Sequence, residues 1–285
     1  MEFTAWEQRR HIERQYHTAL KRLIHFCLSL INEGDGPFTI ERKLRRLADS
    51  GALNSWSYRV AKAMVTNTLE ENARTWRQAA ATAGQGRQMF EIQRQLFASP
   101  VGVQVNELIA RNAQYIKTVP QDVAKDLVRF TGTQAFADNR SSYKTDDFRR
   151  MIGDMTENHA KLISRTETAK AHSALVQAQA EDTGHQFYVW HAAHDVRVRP
   201  SHKNMDDVIC RWDDPPHPES IIGEKDSGGY SPGNIYNCRC YSAPVILWRT
   251  IQWPHRVHVD GSIIAMSQKE FFGHFGAEAL GPKWV

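Results

Sequence analysis

The residues best equipped for chemistry gather late in the chain. Cys238 and Cys240 stand one residue apart in Asn237-Cys238-Arg239-Cys240, Cys210 lies upstream of them, and His202 and His217 fall in the same stretch. A structural zinc ion takes about four nitrogen or sulfur ligands, and Cys210, Cys238 and Cys240 with either histidine would supply a Cys3His set. Cys-x-Cys is a rarer chelating pair than Cys-x-x-Cys. Packed thiols, and a disulfide formed after lysis in oxidising surroundings, therefore stand beside structural zinc as readings of these cysteines. A stretch with few strands to build a core would gain from a metal staple. His191, His194 and His202 invite a general-base reading, with hydrogen-bonded surface histidines as the plainer alternative.

Charged residues form two further clusters. Arg165 and Glu167 are two apart in a helical pattern, so they cannot face one another and should reach different partners. Asp195, Arg197 and Arg199 alternate as strand side chains do, which would put all three on one face with the carboxylate holding a guanidinium in a bidentate pair. A structural ion-pair network is one meaning of this set. Direct phosphate contact by the arginines is the other, since guanidinium geometry matches phosphate oxygens.

In order along the chain these clusters read Arg165-Thr166-Glu167, then Trp190 with Asp195-Val196-Arg197-Val198-Arg199-Pro200-Ser201-His202, then Asn237-Cys238-Arg239-Cys240. That succession over roughly residues 115 to 245 resembles the domain of the phage Mu F-like minor head proteins. Two departures from the family pattern bear on the local loop: no glycine follows His202, and Cys210 is extra. The resemblance implies a minor capsid, head morphogenesis protein that enters the head during assembly. Its implied place is the virion, inside the head near the portal, after synthesis in the host cytoplasm. Implied partners are the portal protein, a major capsid or scaffold protein, and packaged DNA. Catalysis is not implied.

The elements that must position these residues follow from periodicity. Ile12, Tyr16, Leu20, Leu23, Ile24, Cys27 and Ile31 recur at three and four, which predicts an amphipathic helix ending before Gly34-Asp35-Gly36-Pro37, with Cys27 as a small core residue. Thr39 is the expected cap of a short basic helix, and Ser55 that of a longer one reaching about Ala81. Another helix is expected from about Gln88 to Phe97. Val101 to Tyr115 fits helix or strand, Pro120 suits a helix start, and Thr145 begins another helix. A long helix is predicted from about Asn158 to Asp182, closed by Gly184. Phe187 to Trp190 reads as a strand, followed by a loop-rich stretch up to an apolar run at Ala243 to Trp248. The tail carries Trp253, Phe271, Phe272, Phe275 and Trp284, aromatic enough to dock on this protein or a neighbour.

The expected class is α+β, with a helical region at 1–115, a Mu F-like domain at 116–250 and an aromatic tail at 251–285. Ordinary shares of hydrophobic (41%) and charged (24%) residues suit a chain that buries a real core. The first 150 residues hold 23 Lys and Arg against 16 Asp and Glu, a balance of +7, and the rest 13 against 16, a balance of −3. Such a basic excess suits packaged DNA, an acidic partner or simply a solvated helix face. No apolar run approaches the roughly 18 to 20 residues that span a bilayer, so no membrane role is expected. Two readings of other classes remain. A metal-dependent nuclease of the His-Asn-His kind is suggested by Gly228-Gly229 followed by Asn234, Ile235 and the cysteine pair, although the usual Asp-His order is missing. A DNA-binding ejection protein would show steep salt dependence.

Overall fold

The computed structural model describes residues 6–82, 100–133 and 145–276. Among the described residues five helices come first: α1 (Arg10–Ser29), α2 (Pro37–Ala48), α3 (Gly51–Thr82), α4 (Pro100–Thr131) and α5 (Thr145–Asp182). They are followed by β1 (Phe187–His191), α6 (Pro200–Asn204), β2 (Val208–Arg211), α7 (Pro218–Ile221), β3 (Tyr241–Pro244), β4 (His255–Val259), β5 (Ser262–Met266) and α8 (Gln268–Phe275). The α+β class holds: helices first, then a small mixed sheet. Among the described residues, no helix is long and apolar enough to cross a membrane.

The helix starts and breaks differ from the expectations in instructive ways. Thr39 lies inside α2, because Gly36 is the N-cap and Pro37 opens the helix with its fixed φ and missing N–H. Ser50, not Ser55, caps α3: its Oγ accepts from the Leu53 amide at 3.2 Å. Pro120 starts nothing; it lies within α4. An interior proline costs about 3 kcal/mol, but Leu108, Ile109, Ile116, Val119, Val123 and Leu127 are buried on both sides of it and hold the helix continuous. The same burial decides that residues 101–115 are helix. Thr145 and Asn158 belong to one 38-residue helix, and Gly184, at φ +74°, follows its end as expected. The helix expected at 88–97 falls outside the described residues.

The described residues divide into two compact units that interleave along the chain. One draws on Arg10–Thr66 and Asn106–Thr168. Within it the stripe Ile12, Tyr16, Leu20, Leu23, Ile24 and Cys27 of α1 is buried. Polar contacts fix the register: Tyr16 Oη donates to Asn112 at 3.3 Å, Thr156 Oγ1 to Asp126 at 2.9 Å, and Arg149 to the carbonyl of Ile31.

The other unit draws on Met1–Arg9, Asn67–Val105 and Ala169–Val285 and contains the sheet. Strand order is β3-β1-β2-β4-β5, with β2 and β4 parallel and every other pair antiparallel. Strand β1 is buried along its whole length, as a central strand covered on both faces must be. Its side chains alternate. Tyr188 and Trp190 join Val208, Cys210, Trp76, Val176 and Tyr230 in one apolar cluster, while Phe187 and Val189 join Ile209, Val257, Met266 and Phe271 in another. The stretch after β1 is loop-rich with a few short strands, as expected.

The aromatic tail docks on its own protein. Phe271 and Phe275 of α8 lie 5.3 and 5.1 Å from the Phe187 ring, and Trp248 lies 4.8 Å from Phe271. Helix α8 is set by a capping box, Ser267 Oγ accepting from the Glu270 amide and Glu270 accepting from the Ser267 amide. Trp284 lies outside the described residues.

Candidate functional site

The Asn237-Cys238-Arg239-Cys240 segment leads into β3. Asn237 has φ +55°, a left-handed conformation that asparagine tolerates better than most residues. Gly233, at φ +85°, passes so close to neighbouring backbone that a Cβ there would sit 3.2 Å from the Cys240 carbonyl oxygen and 3.3 Å from that of Ala169. The turn therefore lies directly on α5 and on the start of β3.

This local path brings three buried donors together. His202, on the short helix α6, presents Nδ1 to Cys238 Sγ at 3.5 Å and to Cys240 Sγ at 3.4 Å. The three ligand atoms lie within 4.8 Å of one another. On its other side, His202 Nε2 meets Tyr230 Oη at 3.0 Å, and Tyr230 donates to Glu219 at 2.7 and 2.9 Å. Ser201 Oγ donates to the same carboxylate at 3.2 Å. Since the tyrosine proton goes to Glu219, its oxygen accepts from His202 Nε2–H, which leaves the Nδ1 lone pair facing the sulfurs. Burial and the neighbouring Glu219 carboxylate push the Tyr230 phenol up.

The two thiols behave as a pair. The hydrogen bond from Cys240 holds the Cys238 thiol well below its ordinary range, and the Cys240 amide adds to this against the opposing effect of burial. Cys240 is pushed up, first by sharing its proton with Cys238 and then by burial. Donors nonetheless converge on Cys240 too: the Ala193 amide and the Trp190 indole face its sulfur. Such a set, two sulfurs and an imidazole ringed by N–H groups, is able to hold a soft or borderline cation.

Of the four ligands expected for zinc, Cys210 does not join. Its thiol donates to the Val208 carbonyl at 3.6 Å, and burial pushes it up. As a residue of β2 it belongs to the packed apolar cluster. His217, the alternative histidine, pairs instead with Asp226 at 2.9 Å.

Asp195 does hold a guanidinium in a bidentate pair, but that of Arg239. The expected strand alternation of Asp195, Arg197 and Arg199 is replaced by a turn, in which Asp195 also accepts from the Arg197 amide at 2.9 Å. These bonds hold the Asp195 carboxyl down at about 2, with the Arg239 hydrogen bond the largest cause. Arg197 is exposed. Arg199 lies 4.9 Å over the Tyr236 ring and donates to the Tyr236 carbonyl at 3.1 Å. The Asp195–Arg239 pair thus ties the turn after β1 to the cysteine segment itself. Of the other histidines, His191 stacks on Tyr241 and His194 is exposed, 3.6 Å from Asp206.

Arg165 and Glu167 point to different partners and belong to the all-helical unit: Arg165 Nε lies 3.4 Å from Glu13, and buried Glu167 lies 3.5 Å from Arg111. Sequence reasoning missed Glu219 and Tyr230. The only signal for them was their place between His202 and the cysteines, which names a segment without selecting residues in it.

Fold and site together define a chain whose sulfur–imidazole cluster is a buried, structural-looking feature of an α+β domain. Comparison with known proteins gives a match over part of the chain. Residues 113–243 match the family described as Phage Mu protein F like protein, and over that stretch the chain is Mu F-like. An uncharacterized protein of Haemophilus influenzae is 35% identical over 144 residues, which make up 50% of this chain and 29% of that protein. The chain therefore spans less than a third of the length of the relative it matches. No solved structure matches the chain. The matched stretch contains every motif residue discussed above: Arg165, Glu167, Asp195, Arg197, Arg199, His202, Cys210, Asn237, Cys238, Arg239 and Cys240.

Proposed function

We infer that this chain acts in phage head morphogenesis as a minor capsid protein, carried in the virion near the portal rather than working as an enzyme. One observation carries this reading: the family match covers residues 113–243, and within it the structure draws His202, Cys238 and Cys240 into a buried group, with the half-buried Asp195–Arg239 pair bracing the same segment. A segment braced in this way is suited to stabilising an interaction module. The portal protein is the proposed partner, with major capsid or scaffold protein as further contacts.

Packaged DNA is a weaker candidate for direct contact. Several basic side chains of the first 150 residues stand beside carboxylates, as in Lys21–Glu157, Lys43–Asp35, Arg45–Glu41 and Arg149–Asp146. Exposed pairs of this kind soften the field that a nucleic acid would meet.

Mass spectrometry of purified heads of the encoding phage should find the chain at a few copies per particle, and the purified protein should co-migrate with the portal protein in gel filtration. Heads lacking the chain would overturn the reading. Heads containing it but a protein that ignores the portal, and is retained on DNA with steep loss between low and moderate salt, would move the assignment to a DNA-binding ejection protein.

A further inference from the structure

We propose that His202 Nδ1, Cys238 Sγ and Cys240 Sγ bind one zinc ion, with the fourth position left to water or another small exogenous ligand. Geometry is the first argument. Around a tetrahedral zinc, with Zn–S near 2.3 Å and Zn–N near 2.0 Å, a sulfur and a nitrogen ligand stand about 3.5 Å apart. Here the two sulfur–nitrogen separations are 3.5 and 3.4 Å.

The surrounding shell is the second argument. Metal-bound histidines characteristically give their remaining N–H to an oxygen that is itself anchored, which fixes tautomer and ring plane. His202 does so through Tyr230 to Glu219. The buried indole nitrogen of Trp190 finds no conventional acceptor among the described residues, and the Cys240 sulfur is the group it faces. A thiolate bound to a cation would accept that N–H well, whereas a neutral thiol accepts weakly.

The donor set selects the ion. Two thiolates and an imidazole suit zinc and disfavour the hard cations magnesium and calcium, which take oxygen ligands. No fourth Cys, His, Asp or Glu joins the group among the described residues. A closed structural site would need one; three protein ligands leave a coordination position for an exogenous group.

The test uses the whole chain, expressed with added zinc and dialysed against metal-free buffer. Elemental analysis should give about one zinc per chain, in keeping with a three-ligand protein site. The Cys238→Ser/Cys240→Ser double variant should lose the metal, whereas Cys27→Ser and Cys210→Ser should keep it. Tyr230→Phe should retain the site with zinc affinity weakened about tenfold or more, the usual effect of losing the partner behind a metal-bound histidine. Because the double variant could fail to fold, the wild-type protein stripped of metal is also titrated with cobalt(II). Sulfur-to-cobalt charge-transfer absorption with the intense visible bands of a tetrahedral ion is the expected result. Full zinc content in the double variant, or wild-type protein that gives no cobalt–thiolate absorption, overturns the proposal.

Discussion

Asp195 shows what one residue can decide. Its carboxylate binds Arg239, the residue between the two cysteines, and the Arg197 amide, so a single side chain connects a turn to the cysteine segment. Its acidity yields a signed prediction. Folding depresses this pKa, so the contribution of the pair is complete above the unfolded value of about 4 and fades as the pH falls toward about 2. The melting temperature of Asp195→Asn should therefore start below that of wild type at neutral pH and fall less on going from about pH 6 to about pH 3. Parallel decline of the two proteins in differential scanning fluorimetry would show that the pair does not contribute to acid sensitivity. The bidentate partnership of Asp195 was legible in the sequence as a chemical type. Its partner was not: Arg197 and Arg199 are near in sequence, but the turn at 195–198 directs them elsewhere, and Arg239 reaches the carboxylate from 44 residues away.

At the scale of elements, periodicity located the helices and burial decided their lengths. The apolar stripe of α1 could be read directly, because each of its residues is three or four from the next. The continuity of α4 through Pro120 could not, since local propensity favours a break and only the burial on either side outweighs it. Helix α8 is the element whose role is most exposed to test. Phe271, fully buried, touches Phe187, Trp248, Trp253 and Phe275 in the cluster beneath β1 and β4. Phe271→Ala should destabilise the protein by about 3 to 5 kcal/mol, the range for deleting a buried aromatic side chain. Chemical denaturation monitored by tryptophan fluorescence reads this through Trp248 and Trp253. A change below about 1 kcal/mol would place the helix outside the cooperative core.

At the scale of the whole molecule, the segment matched to the family is not the whole of the sheet it enters. The match ends at residue 243, yet β2 pairs with β4 through Val208↔Arg256 and Ile209↔Val257. A chain cut after Leu247 would lose β4, β5 and α8. That would leave one edge of β2 unpaired and uncover Phe187, Val189 and Ile209, an invitation to edge-to-edge association. Such a truncated protein should aggregate or appear as large species in gel filtration. A monomer with a cooperative melt would show that the first three strands of the sheet stand alone.

The sequence by itself determined the kinds of groups present and much of the local structure: amphipathic helices, a strand at Phe187, and an Asn-Cys-Arg-Cys segment whose residues suit sulfur chemistry. It also carried the Mu F-like resemblance that the comparison bears out. Tertiary structure alone chose among equivalent residues. It set His202 rather than His217 against the thiols, sent Cys210 into the apolar cluster, and supplied Glu219 and Tyr230 behind the histidine. The physical reason is range. Helix and strand periods act over a few residues, whereas which donors share a buried space depends on how strand residues 18 to 56 positions apart are paired, and on the apolar area that each pairing buries.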